Sequence, residues 1–258
     1  MTWDQAEYDF RCEWGLAGVQ TLAPISDVLI VVDVLVFSTA VDIAVARGAS
    51  VLPYRWRDSS AEAFAKSKGA LLASPRSAGG YSLSPPSLQS IPAGTALVLP
   101  SPNGSTLCLM AGAATTFTAC LRNCRAVAAH ACACGSRIAV VPAGEQWGDG
   151  ALRPAIEDLI GAGAVLASLP GRPSPEAETA IAAFERFQHN LHDALARSTS
   201  GKELVARGFA RDVELAAEYA VSATAPVMMM QEDRFVDAAA PTIADSPSSS
   251  FLKPKHPA

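Results

Sequence analysis

Charge is scarce in this chain. Asp, Glu, Lys and Arg make up 17% of its 258 residues, and aromatic residues only 7%. A chain so poorly charged and 50% hydrophobic is no solvated disordered segment; it buries a large core. An excess of basic residues is also missing. The net charge of −5 and pI near 5.4 argue against a nucleic-acid partner held by a positive surface. The opening MTWDQAEYDFRCEW is polar and acidic, unlike an export signal, so a cytoplasmic protein with reduced thiols is expected. The pairs Cys120/Cys124 and Cys132/Cys134 lack zinc-site spacing and sit among alanines, as core cysteines do. His130, His189, His192 and His256 form no recognisable triad or zinc motif. No Gly-Lys-Ser/Thr follows a glycine-rich turn, and no cysteine has an arginine six residues on. A nucleotide P-loop and a cysteine-phosphatase loop are thereby excluded. GAGAVLAS (161–168) imitates a dinucleotide fingerprint, but a helical pattern precedes it where a strand is required.

One apolar run stands out against this background. Residues 28–46 hold Asp33 and Asp42, each costing roughly 2.5–3.5 kcal/mol near a membrane centre. The run therefore reads as a buried strand over 28–34 followed by a helix over 40–47, capped by Thr39-x-x-Asp42 or by Ser38 and stopped at Gly48. Strand-turn-helix units recur. Strands are expected over 50–53, 96–99, 115–119 and 137–141, and helices over 106–111, 122–133 and 153–167, with Pro154 in a first helical position. This alternation predicts an α/β fold, a layered and mostly parallel sheet flanked by helices, with its site in loops at the strands' carboxyl ends. Residues 74–95, rich in Ser, Pro and Gly, read as a long functional loop or as a break between two subdomains. One long helix is expected over 176–196, and further helices over 201–219 behind the capping box Ser200–Glu203. A strand is expected over 227–230 and a disordered tail over 238–258.

Asp33 carries the chemistry of the first run. A carboxylate inside apolar sequence needs hydrogen bonds, a counter-charge or a metal ion. It caps the following helix, or it serves as a metal ligand or nucleophile at a strand end. The turn SPNGS (101–105) is either a plain connection or an anion cradle, in which Ser101, Asn103, Ser105 and free backbone amides face a phosphate. Glu145 lies in a glycine-containing loop after a strand, as catalytic carboxylates do. Glu157 and Asp158 fall in the first turn of a helix, where acids are favoured in any case.

Taken together and in order, VVDVLVFSTAVDIAVARGA, PSPNGS, RNCRAVA, VVPAGE with IEDLIGAGAV, and TSGKELVARGFARDVELAAE resemble the 2-phosphosulfolactate phosphatase family. The resemblance covers most of residues 25–232. It implies an α/β fold and Mg2+-dependent hydrolysis of (2R)-2-phospho-3-sulfolactate to 3-sulfolactate, a step of coenzyme M biosynthesis. It points to Asp33, Ser38 and Thr39 in the first segment, to Asn103, Gly104 and Ser105 in the second, and to Asn123 in the third. Gly144 and Asp158 follow in the fourth, and Ser200, Gly201, Glu203 and Asp212 in the last. Asp33 is the first expected Mg2+ ligand and Asp158 or Glu145 the second. Glu145 or Asp212 orients the attacking water, while Ser38, Thr39, Ser101, Asn103, Gly104, Ser105 and Asn123 hold substrate. The chain departs from the family at Val36, where an arginine is usual. Arg47, Arg76, Arg122 and Arg211 are the candidates to supply that charge. The expected partner is a small phosphorylated organic acid, with no nucleic acid and no membrane. A surface rich in small residues leaves room for a homo-oligomer. The residues also leave open a related hydrolase of changed substrate, or a noncatalytic anion-binding protein on the same fold.

Overall fold

A computed structural model describes residues 3–56 and 58–239. Eleven strands occur among them: β1 (Phe10–Cys12), β2 (Val28–Val32), β3 (Ser50–Tyr54), β4 (Leu71–Leu72), β5 (Ala96–Pro100), β6 (Thr115–Ala119), β7 (Ile138–Pro142), β8 (Glu145–Gln146), β9 (Leu152–Arg153), β10 (Pro226–Met229) and β11 (Arg234–Asp237). Nine of them form one sheet in the order β1-β7-β2-β6-β10-β11-β3-β5-β4, and β8 pairs with β9 alone. The first four are parallel to one another, as are the last three. The hairpin β10–β11 joins the two blocks through antiparallel pairings. Three antiparallel steps reverse direction, so β3, β5 and β4 run opposite to β2. The α/β class with a mostly parallel sheet is thus observed, in a mixed form. No helix among the described residues is long and apolar enough to cross a membrane.

β2 shows why its sequence is apolar without alternation. Val28, Ile30 and Val32 enter one core and Leu29 and Val31 the other, as in a strand covered on both faces. The first core packs beneath the helices Cys124–Cys134, Ile156–Leu166 and Pro175–Phe187. The helices Ile156–Leu166 and Pro175–Phe187 meet closely at Gly163, where a Cβ would come within 1.9 Å of the Ala180 carbonyl oxygen. Glycines in GAGAVLAS therefore serve helix packing. The second core surrounds the helix Phe37–Ala46, buried at every position from Phe37 to Val45. This helix contacts β3, β6, β10 and β11 and so lies across the junction of the two parallel blocks. Residues after β2 and after β5 meet beside it, where Gly104 N donates to Asp33 Oδ2, although the two strands run in opposite directions.

Several boundaries differ from expectation for local reasons. The helix after β2 begins at Phe37, so Thr39 lies inside it, and the Thr39 hydroxyl donates to the Val34 carbonyl at 2.8 Å. Pro154 falls before the helix Ile156–Leu166, whose N-cap is Ala155. The helix expected over 176–196 is two, Pro175–Phe187 and Leu191–Arg197, with Asn190 as the second N-cap. The cap of the helix Thr199–Ala206 is Ser198, whose Oγ accepts from Gly201 N. Residues 74–95 carry the 3-10 turn Arg76–Ala78 and the helix Pro85–Leu88, and Leu88 and Ile91 enter the second core. The tail expected over 238–258 lies outside the described residues except for Ala238 and Ala239. All six cysteines are free thiols, four of them buried.

Asp42 is fully buried on the central helix. Its Oδ2 accepts from Arg122 Nε at 2.8 Å and its Oδ1 from the Ser222 hydroxyl at 2.6 Å. Burial raises its pKa, and the serine and arginine contacts oppose that rise. Removing Arg122 leaves the acid uncompensated. Arg122→Met is expected to cost roughly 3–5 kcal/mol in chemical denaturation, whereas Asp42→Leu with Arg122→Met recovers most of that loss.

Candidate active site

Asp33 is the first residue beyond the carboxyl end of β2. It is buried, 6% exposed, and two separate loops hold its carboxylate. Oδ1 accepts from Phe37 N at 3.2 Å and Oδ2 from Gly104 N at 3.0 Å. Its own backbone is fixed as well: Asp33 N donates to Ser38 Oγ at 2.9 Å, and Asp33 O accepts from Ser38 N at 2.8 Å. Ser38 Oγ lies 2.7 Å from Thr118 Oγ1, and the Thr118 hydroxyl donates to the Val31 carbonyl. Gly104 has no substitute at this place. A Cβ there would lie 2.4 Å from Phe37 Cδ1 and 2.7 Å from Asp33 Oδ2.

Asp158 joins the loops after β2 and β7. Its Oδ1 accepts from Val34 N at 2.7 Å and its Oδ2 from Gly144 N at 2.9 Å. Glu145, at the start of β8, accepts through Oε2 from the Asn103 amide at 2.8 Å. Two loops at carboxyl ends are thereby tied to the 101–105 turn. Burial raises the pKa of all three acids. Burial first, then the Glu145 charge, pushes Asp33 up to about 7, against the pull of the Phe37 and Gly104 amides. Burial and then the Asp33 charge hold Asp158 well above the usual carboxylate range. Burial raises Glu145 too, and the Asn103 amide opposes it.

Asp33, Ser101, Asn103 and Glu145 open onto a cleft of about 490 Å³. Leu35, Val36 and Leu83 give it apolar walls, and Arg55, Arg76 and Arg207 supply cations. Asn103 and Glu145 also face a neighbouring cavity of about 240 Å³ near Trp14 and Leu152. Other expected site residues lie behind this surface. Ser38 and Thr39 brace the turn after β2, and the Ser105 hydroxyl donates to the Leu99 carbonyl. Asn123 caps the helix Cys124–Cys134 and accepts from Cys120 N at 2.8 Å, away from the cleft. Asp158 and Asp212 do not line it among the described residues. Asp212 instead sits 3.3 Å from the Arg76 guanidinium and accepts from the Ser84 hydroxyl.

Of the four arginines weighed for the charge missing at Val36, only Arg76 reaches the cleft. Arg122 is engaged by Asp42 and Glu218, and Arg211 pairs with Glu214. Arg55 and Arg207 were not singled out in the sequence. Arg55 had a signal, being the first residue beyond the carboxyl end of β3, where loop residues of α/β sheets carry function. Arg207 had none, since it ends a helix outside any strand-loop unit.

The family model for 2-phosphosulfolactate phosphatase matches residues 18–231. A probable 2-phosphosulfolactate phosphatase of Carboxydothermus hydrogenoformans is 31% identical over 220 residues, 81% of this chain and 89% of that protein. A 2-phosphosulfolactate phosphatase of Methanothermobacter thermautotrophicus is 32% identical over 134 residues, 52% of this chain and 56% of that protein. The matched region spans β2, the 101–105 turn, Glu145, Asp158 and β10. With that coverage, the chain belongs to the 2-phosphosulfolactate phosphatase family.

Proposed function

We propose that this chain is a Mg2+-dependent phosphatase that hydrolyses 2-phosphosulfolactate to 3-sulfolactate and phosphate. Family membership supplies the reaction, and the Asp33 constellation is the observation that carries it. Burial raises all three acids, the Glu145 charge adds to the rise at Asp33 and the Asp33 charge to that at Asp158, an unfavourable arrangement that a divalent cation relieves.

The donor set fits Mg2+. The ion takes oxygen ligands, often only one or two carboxylates, with water and substrate phosphate completing the shell. Asp33 and Glu145 are the carboxylates that face the cleft. Each Asp33 oxygen accepts one amide and keeps a lone pair free. Asp158, with both oxygens engaged by backbone amides, acts behind them as the tie between two loops. Among the described residues no group of three or more His, Cys, Asp and Glu is placed to hold a metal ion by itself. When bound, Mg2+ neutralises charge on the phosphoryl oxygens.

The chain's own groups do the remaining work. Ser101 and Asn103, at the carboxyl end of β5, position the phosphoryl group against Asp33. Glu145, its basicity raised by burial, orients a water and takes its proton as oxygen attacks phosphorus and the ester P–O bond breaks. The Asn103 amide holds Glu145 in place for this step. Leu35, Val36 and Leu83 keep the rest of the cleft apolar, which strengthens the charge interactions within it.

Two measurements test the reading. Asp33→Asn is expected to lower kcat/KM for phosphate release from 2-phosphosulfolactate by roughly 100-fold or more while keeping the fold by circular dichroism. Chelation of divalent ions should abolish turnover of the wild type, and added Mg2+ should restore it. Undiminished turnover in either experiment removes Asp33 or the metal from the mechanism. Gly104→Ala, which must displace Phe37 or Asp33, should lose about 1–3 kcal/mol of stability together with activity.

A further inference from the structure

β8 and β9 pair only with each other, Glu145 with Arg153 and Gln146 with Leu152. A two-stranded ribbon outside any larger sheet has little to hold it. Residues 146–152 are all exposed. Among the described residues, the segment 145–153 makes one hydrogen bond to the rest of the chain, accepted by Glu145 from the Asn103 amide at 2.8 Å. Its apolar attachment is Leu152, which packs at Gly15 and Gly144 and is still 42% exposed. A segment with so few buried contacts opens at low free-energy cost.

The two ends of this segment are anchored. On the entry side, Gly144 N donates to Asp158 Oδ2 at 2.9 Å, and Gly144 then takes a φ of +68°, a conformation open to glycine. On the exit side, Pro154 separates β9 from Ala155, which is buried and whose carbonyl accepts from Asp158 N and Leu159 N. Asp158 thus fixes both sides of the ribbon's base, and the backbone between Gly144 and Pro154 is left to turn. The ribbon is also a wall between two spaces. Side chains alternate between the faces of a strand, so Gln146 and Leu152 share one face and Glu145 and Arg153 the other. Gln146 and Leu152 line the cavity of about 240 Å³ shared with Trp14, Leu16 and Leu107. Glu145 lines the cleft, and Trp147, 57% exposed, lies under the Arg153 guanidinium at 5.7 Å. A cleft on one side and a cavity on the other give the wall room to shift without disturbing packed core.

We propose that the β8–β9 hairpin is a flap, hinged at Gly144 and Pro154, that swings from the second cavity toward the cleft once the cleft is occupied. This rests on the phosphatase reading for the occupant, Mg2+ with an oxyanion. A ligand shifts such an equilibrium only through contacts that differ between its states. Glu145 supplies that difference, because it is the flap side chain that lines the cleft and its carboxylate is drawn to a cation beside Asp33, taking the ribbon with it. Trp147 is the apolar surface that closure removes from water.

Hydrogen exchange of the full chain, read by mass spectrometry with and without Mg2+ and inorganic phosphate, tests the flap without requiring turnover, and calorimetry establishes that both are bound. Amides of residues 146–152 are expected to exchange freely in the ligand-free protein and about tenfold more slowly in the saturated protein, the mark of a comparable shift toward the closed form. The same ligands should move tryptophan emission to shorter wavelength, and Trp147→Phe should remove that shift. Trp147→Ala should keep the melting temperature, since the side chain lost is exposed, yet show less than about threefold protection. Equal exchange of 146–152 in free and saturated wild type, or undiminished protection in Trp147→Ala, would overturn the flap and leave the phosphatase reading standing. Failure of Mg2+ and phosphate to bind would overturn both. Protection by these ligands in a wild type that releases no phosphate from 2-phosphosulfolactate would uphold the flap and refute the phosphatase reading.

Discussion

The carboxylate of Asp33 is held by two backbone amides from opposite sides, Phe37 N at the start of the central helix and Gly104 N beyond β5. Everything near the cleft depends on this shared acceptor. β2 and β5 belong to parallel blocks that run in opposite directions, and the loops beyond their carboxyl ends meet beside the helix Phe37–Ala46, buried from Phe37 to Val45. The Asp33 side chain closes that junction, and the missing Cβ of Gly104 makes the approach possible. An acid that costs free energy to bury therefore does two jobs: it fastens two loops together, and it presents charge to a cleft.

Both signs of charge line the cleft. Asp33, Glu145 and Glu203 bring negative charge to the cleft, and Arg55, Arg76 and Arg207 bring positive charge to it. The scarcity of charge in the chain as a whole sharpens this pattern. Surface pairs such as Arg197 with Asp193 contribute little. Asp42 with Arg122 is the buried exception that supports the central helix.

Much of this was legible in the sequence because strands covered on both faces leave an apolar run with no periodicity, and an Asp at its end has few innocent explanations. Asp33 and the Asn103 turn were visible for that reason, and the ordered motifs added the family. The direction of the second block was not legible. It is set by the hairpin β10–β11, whose second strand, RFVD, is too short and polar to announce itself. Thr39 and Ser200 both read as helix caps, because capping boxes are defined by spacing alone. In the structure each helix begins two or three residues earlier, which leaves Thr39 bonded to Val34 O and leaves Ser200 for the cleft. Arg76 stands in a stretch of Ser, Pro and Gly that carries no periodic signal, and its partner Asp212 lies far away in sequence.

The central claim concerns the ionisation of one side chain and its competition between proton and metal. Burial and the neighbouring Glu145 push Asp33 up to about 7, so below that pH a proton occupies the carboxylate and above it the charge is available for a cation. The most direct measurement is a carbon-13 titration of the Asp33 carboxyl by NMR, assigned with Asp33→Asn, in metal-free protein and in saturating Mg2+. The account predicts a midpoint near 7 without metal and a carboxylate that stays ionised to clearly lower pH with Mg2+. A midpoint at the ordinary carboxylate value of about 4 that does not move when Mg2+ is added would contradict it.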